Sequence, residues 1–175
     1  MDDIVRIPLI WLLCLLSVMF HELGHALGYR ISGGKAGWKV IAGSGPRMIS
    51  LRKIIFCPIP VGGYFIPGEE PKTNRGKITT LAGGPLVSLL QAVLYGAAYF
   101  CIPGRIQPES SLYGILFPVS RFLMFFNFFQ FLLTAVPVRY RLVCRGQESD
   151  GLQVVRVLKR HKNKEPQHEQ QNTGG

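Results

Sequence analysis

Three long apolar stretches, separated by basic segments rich in glycine and proline, form the main pattern of the chain. The stretches cover residues 8–29, 78–102 and 118–136. Each is long enough to cross a bilayer as a helix, because about 20 helical residues span the hydrocarbon layer. Pro118 suits the first turn of the third helix, which would leave Arg121 near a membrane interface, and Pro137 ends that helix. The pattern therefore predicts three transmembrane helices.

The segment between the first two stretches has a different pattern. Residues 36–66 contain short β-prone runs broken by glycine and proline, which predicts a small sheet or a pair of hairpins. The predicted strands are 38–41, 48–51, 53–56 and 63–66. Beyond the third stretch, Ser149 is suited to cap a short amphipathic helix over 150–161, and the polar tail 162–175 is predicted to be disordered.

Together these elements predict the fold class. We expect a mainly α, polytopic membrane protein, in which residues 1–161 form one domain of three transmembrane helices with a small β insertion after the first helix. The composition agrees, since 47% of the 175 residues are hydrophobic, 17% are charged and the mean hydropathy is +0.22. Such a chain is too apolar for an ordinary soluble domain of this size.

The distribution of charge predicts an orientation in the membrane. The net charge is +10, with nine Lys and Arg residues in 30–77, one in 103–117 and eight after the third stretch. Because basic loops stay in the cytoplasm, the β insertion and the C-terminal tail are expected there, with the N-terminus outside. Topology thus accounts for the basic excess, and no nucleic-acid partner is expected.

The four cysteines form no Cys-x-x-Cys pair, which excludes a disulfide framework and a thiolate zinc site.

The first apolar stretch carries the candidate chemistry, the sequence His21-Glu22-Leu23-Gly24-His25. On a helix this spacing places both imidazoles on one face, where they can bind one zinc ion per chain. Glu22 is one residue round the helix, so it is suited to accept a proton from a water molecule at the metal rather than to bind the metal. Ionisable residues inside membrane helices usually serve function. The alternative is that the histidines are buried and hydrogen-bonded to neighbouring helices.

Two histidines leave a catalytic zinc ion one protein ligand short. His25 lies about 7 Å from the cytoplasmic end of its helix, so a residue just beyond the third helix can reach the metal. Among the aspartates, Asp150 has this position, with Glu148 as the rival ligand. The alternative for Asp150 is an ordinary carboxylate at a helix N-terminus.

Two further sets of residues are candidates for contact with a substrate. In the third helix, Asn127, Gln130 and Thr134 form a polar stripe that either lines a substrate path, with Asn127 in a catalytic role, or forms interhelical hydrogen bonds.

The second set lies in the β insertion. The stretch 61–66, with Gly62, Gly63 and Tyr64, is expected to form a free sheet edge that binds substrate by β-strand addition, with Tyr64 offering one backbone donor. The alternative is a structural hairpin whose glycines serve only its turn.

The chain resembles the site-2 protease family, the intramembrane zinc metalloproteases of peptidase family M50. Over about residues 10–160 the similar pieces occur in the family's order. They are His21-Glu22-Leu23-Gly24-His25, Gly43-Ser44-Gly45-Pro46, Pro60-Val61-Gly62-Gly63-Tyr64, Ala82-Gly83-Gly84-Pro85 and Asp150-Gly151. The resemblance implies Asp150 as the third zinc ligand and a three-helix catalytic core with a β insertion that dips toward the membrane from the cytosol. Ser88 stands where the family often has Asn after Ala-Gly-Pro.

The expected function is hydrolysis of a peptide bond in or next to a transmembrane segment of another protein, as in regulated intramembrane proteolysis. His21, His25 and Asp150 would hold zinc and Glu22 would act as general base and proton donor. The alternative is a catalytically silent relative that acts as a membrane binding module, although a structural zinc site needs no carboxylate at position 22. Expected partners are the lipid bilayer, a transmembrane substrate and a regulatory membrane protein, in a bacterial cell membrane.

Overall fold

The computed structural model describes residues 2–140 and 147–160, with side chains from residue 4 onward. The three long helices are α1 (Asp2–Ile31), α2 (Asn74–Cys101) and α3 (Ser111–Ala135), and a shorter helix α4 covers 150–160. The strands between α1 and α2 are β1 (Lys39–Ser44), β2 (Ile49–Leu51), β3 (Ile54–Phe56) and β4 (Ile59–Ile66). The mainly helical class and the small sheet after the first helix are confirmed.

All three long helices are apolar and long enough to span a membrane. Their ends are set by local chemistry. Thr73 caps α2, because its Oγ1 accepts a hydrogen bond of 3.0 Å from the Gly76 amide. At the end of α3, Val136 has an extended backbone (φ −70°, ψ 131°), the conformation favoured before a proline, and Pro137 follows.

The predicted start of the third helix is wrong. α3 begins at Ser111, and Ser110 caps it by accepting a hydrogen bond of 3.2 Å from the Leu112 amide. Pro118 lies inside the helix rather than in its first turn. An apolar helix of membrane-spanning length tolerates such a proline because neighbouring groups can compensate for the missing amide. Arg121 is consequently ten residues from the helix start, about 15 Å along the axis, and not beside the helix end.

The sheet has the strand order β2-β3-β1-β4. β1 pairs in parallel with β3 and antiparallel with β4, while β2 and β3 form an antiparallel pair. β4 is longer than predicted, since it includes residues 59–62 ahead of the expected strand. Within residues 2–140 and 147–160 it pairs with β1 alone, so its other side is an edge of the sheet in this part of the chain.

α1 and α2 pack through direct backbone contact. A Cβ atom built on Gly24 would overlap the carbonyl oxygen of Gly83, and one built on Gly83 would overlap that of Gly24. One turn further along α1, Gly28 lies in the same way against the carbonyl of Thr79. Small residues allow membrane helices to approach closely, and here only glycine fits the crossing.

The start of α4 is fixed to the end of α3. Ser149 is 2% exposed, and its hydroxyl donates to the Val136 carbonyl at 2.7 Å while accepting from the Val138 and Leu152 amides. A Cβ on Gly151 would overlap the carbonyl of Ala135. The prediction that Ser149 caps this helix is confirmed. The tail 162–175 and residue 161 lie outside the described residues.

The exposure of the cysteines provides a test of the predicted orientation. Cys57 is buried and cannot report on the cytoplasmic side as an exposed thiol, whereas Cys101 is exposed at the end of α2. If the N-terminus is outside, Cys101 faces outside too. A membrane-impermeant maleimide should then label the wild-type protein in intact cells, and Cys101→Ser should abolish this labelling.

Glu109→Cys in the Cys101→Ser background is the matched control, because residue 109 is exposed in the same loop. It should restore labelling in intact cells. Labelling of both positions only after the membrane is opened would reverse the orientation.

Candidate metal centre

Two histidines of α1 and one aspartate of α4 meet at one point. His25 Nε2 lies 3.5 Å from Asp150 Oδ2, and His21 Nε2 lies 3.8 Å from the same oxygen. The three ligand atoms are all within 4.8 Å of one another. Zinc bonds of about 2.0–2.2 Å in a tetrahedron separate neighbouring ligand atoms by about 3.3–3.6 Å. The three side chains therefore fit a zinc ion with little rearrangement.

Each imidazole is held through the nitrogen that faces away from Asp150. His25 Nδ1 donates a hydrogen bond of 2.8 Å to the carbonyl of Thr80, which leaves its Nε2 lone pair free for a metal. His21 Nδ1 lies 2.7 Å from Ser88 Oγ, which can accept the equivalent bond. Partners of this kind fix the tautomer and orientation of metal-binding histidines.

One face of α2 forms the support for both histidines. Thr80, Gly84 and Ser88 follow one another at intervals of four residues and are all buried. A Cβ on Gly84 would overlap His25 Nε2 and would lie 2.7 Å from His21 Nε2, so the glycine provides the space for the imidazoles. These roles of Thr80 and Ser88 were not predicted from the sequence. Their spacing around Gly84 on one helix face was the available signal.

Asp150, rather than its rival, joins the histidines. Burial raises the pKa of the Asp150 carboxyl, but the neighbouring imidazoles outweigh burial and hold that pKa below its ordinary value. Glu148 Oε1 instead lies 2.9 Å from Arg139 Nη2 and 2.6 Å from Arg156 Nη1. The geometry favours Asp150 as the third ligand, with Glu148 in an ion-pair network beside it.

Glu22 lies between the histidines and the sheet. Its side chain is 6% exposed, and a Cβ on Gly63 would lie 2.6 Å from Glu22 Oε1. β4 thus passes directly over the carboxylate, which only glycine at position 63 allows. Gly62 has a positive φ of 70°, a conformation that favours glycine. Both glycines lie within β4 rather than in a turn.

A cavity of about 1120 Å³ contains this group of side chains. Its walls come from α1, from six consecutive residues of β4, from one face of α3 and from the start of α4. The lining includes His21, Glu22, His25, Gly63, Gln130 and Asp150. Most of the remaining lining is apolar, with several phenylalanines of α3. The cavity is therefore large enough for an extended peptide segment and not only for a metal.

The hydrogen-bond pattern of the sheet shows which β4 groups face the free edge. The Val40 amide of β1 donates to Lys53, on the side of β3, so the next residue, Ile41, faces β4. Ile41 is paired with Tyr64, which places the Tyr64 amide against β1. The expectation that Tyr64 offers a backbone donor at the free edge is therefore wrong, because pairing alternates along the strand. Gly63 and Phe65 direct their backbone groups to that edge.

The polar stripe of α3 divides into residues with different surroundings. Asn127 is fully buried and is not among the lining residues of the cavity, and its Nδ2 lies 3.3 Å from Ser17 Oγ. This position favours an interhelical role over a catalytic one.

Thr134 lines the cavity, but its hydroxyl donates to the carbonyl of Gln130, in its own helix. Gln130 also lines the cavity, and its Oε1 is buried without a hydrogen-bond partner among the described residues.

These features define a class of protein. A helical His-Glu-x-x-His pair completed by a carboxylate, with a buried glutamate beside it, is a metallopeptidase type of site, and here it lies within three helices that can span a membrane. The chain belongs to peptidase family M50, the site-2 protease family, whose model matches residues 9–171. Comparison with curated proteins gives no significant match. The expected family is thus confirmed.

The support of His21 by Ser88 leads to a prediction for metal affinity. Ser88→Ala should weaken zinc binding by about 10-fold or more, because loss of a partner that orients a ligand histidine typically has this effect. Competition with a chromogenic chelator measures the affinity. Ser120→Ala is the matched control, since Ser120 is also buried in a long helix but bonds to its own helix at Phe117. Equal zinc affinity of the two variants would contradict a role for Ser88.

Proposed function

We propose that this protein is an intramembrane zinc metalloendopeptidase that hydrolyses a peptide bond in or next to a transmembrane segment of another protein. The observation that carries the proposal is the meeting of His21, His25 and Asp150 beside the buried Glu22, in a cavity walled by membrane-length helices and a strand. A soluble peptidase does not need three such helices around its site. We therefore infer regulated intramembrane proteolysis as the process it serves, in a bacterial cell membrane.

The side chains at the site have different roles in the proposed reaction. His21, His25 and Asp150 would hold the metal, and zinc, when bound, supplies Lewis acidity that makes water acidic near neutral pH and polarises a carbonyl. Glu22 takes a proton from the attacking water and delivers it to the nitrogen of the leaving amine, so the same carboxylate acts first as base and then as acid. Gly63 keeps the carboxylate covered by β4, which limits the access of bulk water.

The sheet edge supplies what a membrane substrate requires. A transmembrane segment arrives as a helix with its amides paired internally, and unwinding it in an apolar environment exposes groups that each cost several kcal/mol. The free edge of β4 provides new backbone partners by strand addition. Gly62, Gly63 and Tyr64 line the cavity along this edge, with Tyr64 presenting an exposed side chain at 44%. Substrate would therefore lie against β4 in extended form.

The first test concerns the metal. Purified protein should contain about one zinc ion per chain, and Ala at His21, His25 or Asp150 should each reduce this content. Glu148→Ala is the control, because this neighbouring carboxylate is engaged by arginines. Full zinc content in Asp150→Ala together with loss in Glu148→Ala would transfer the ligand role to Glu148.

The second test concerns catalysis. Glu22→Gln should retain zinc but lower turnover by about 100-fold or more, the size of effect expected for a general base. Comparing membranes that contain the active protein with membranes that contain Glu22→Gln by mass spectrometry of new peptide ends should reveal the substrates. Cuts inside or beside transmembrane segments are expected only with the active protein. Identical sets of peptide ends at equal protein levels would instead support a silent binding module.

The third test concerns the strand edge. Phe65→Pro removes a backbone donor that faces the free edge, whereas Phe65→Leu keeps this donor and removes only the ring that stacks on His25 at 6.4 Å. Turnover should fall at least about tenfold further in Phe65→Pro than in Phe65→Leu, with equal zinc content. Equal turnover of the two folded variants would exclude pairing of substrate at this position.

A further inference from the structure

The side-chain oxygen of Gln130 is a buried polar atom without a hydrogen-bond partner among the described residues. The hydroxyl of Thr134, one turn further along α3, donates to the Gln130 backbone carbonyl and not to its side chain. Buried polar groups are nearly always paired, and an unpaired one beside a cavity can serve a ligand that enters that cavity.

The position of Gln130 indicates the chemistry of that partner. It lines the same cavity as the metal-site residues and β4, but from the wall formed by α3. An extended peptide has hydrogen-bonding groups along both of its edges, and these alternate from residue to residue. Strand addition to β4 satisfies one edge only. The other edge faces the α3 side, where the cavity wall is mostly apolar and the side chain of Gln130 forms part of it.

We propose that Gln130 hydrogen-bonds the backbone of the extended substrate on the edge that faces away from β4. A carboxamide offers both an acceptor and a donor, so it can pair with the N–H and the C=O of one substrate residue. Recognition of this kind is independent of substrate side chains. The inference rests on the proposed function, because it assumes a peptide held at the metal centre.

The two other polar residues of the stripe are unsuited to this task. Asn127 is enclosed where α3 meets α1 and lies outside the cavity lining. Thr134 is part of the lining, but its proton is used within α3, at 2.9 Å from the Gln130 carbonyl. Thr134 therefore provides the matched control for Gln130, one turn further along the same face.

The test uses a fluorescent tetrapeptide hydroxamate with apolar side chains, bound to the zinc-loaded protein in lipid nanodiscs. Gln130→Met preserves the shape of the side chain and removes its hydrogen bonds, and should weaken binding by about tenfold. Thr134→Val should change binding by less than about twofold. Zinc content and thermal unfolding are measured for each variant and should equal those of the wild type.

A set of probes with one backbone amide replaced by an ester identifies the bond itself. In the wild type, an ester should weaken binding when it replaces an amide that faces β4. It should also weaken binding at one amide on the opposite edge of the probe, which faces α3. That additional penalty should disappear in Gln130→Met, since both changes remove the same interaction. The proposal would be overturned if the affinity losses from the ester and from Gln130→Met simply added at every position. It would also be overturned if Gln130→Met bound the probe within twofold of the wild type.

Two further results keep the inference separate from the proposed function. If removal of zinc from the wild type and the substitution Asp150→Ala both leave probe binding unchanged, the metal centre itself is wrong. If binding needs zinc but only alternate amides respond to the ester, the metal centre holds and the role of Gln130 is wrong. The ester series in the wild type decides this second point even if Gln130→Met does not accumulate in the membrane.

Discussion

The close backbone approach of α1 and α2 is the constraint on which the candidate metal centre depends. Gly24 and Gly83 each occupy space that a side chain would fill, and Gly84 leaves room for both imidazoles against α2. At this separation the carbonyl of Thr80 and the hydroxyl of Ser88 come within hydrogen-bonding distance of the histidines. A larger residue at the crossing would separate the helices and remove both supports at once. Packing and ligand orientation are therefore set by the same contact.

Asp150, the third candidate ligand, is positioned by a different set of contacts. Asp150 lies between Ser149 and Gly151, and both neighbours are held against the last turn of α3. The hydroxyl of Ser149 donates one hydrogen bond and accepts two, and so joins the backbone at residues 136–138 to the first turn of α4. Movement of the α3 end would thus be transmitted to the carboxylate. The metal centre consequently links the first and third long helices, whose direct packing is less extensive than that of α1 with α2.

The polar groups inside this apolar protein show how function and stability are divided. The imidazoles and the hydroxyl of Ser149 are hydrogen-bonded, as expected for polar groups in a low-dielectric environment. Among the described residues, the buried side-chain atoms without a partner are Asn127 Oδ1 and Gln130 Oε1. The first is enclosed by helices, while the second borders the cavity. An unsatisfied group at the cavity wall reduces the stability of the free protein, and its presence is reasonable where a peptide backbone is to be bound.

Local patterns in the sequence determined the three apolar helices, the position of the sheet and the shared face of His21 and His25, because helix periodicity and apolar length need no knowledge of neighbours. The start of α3 was misjudged because Pro118 was taken as the first-turn signal, whereas the helix is capped by Ser110 and continues through the proline. The choice between Asp150 and Glu148, the support by Ser88 and the contrast between Asn127 and Gln130 required the tertiary structure. So did the phase of hydrogen bonding along β4. Each of these depends on which distant element lies opposite a residue, and a one-dimensional pattern does not contain that distance.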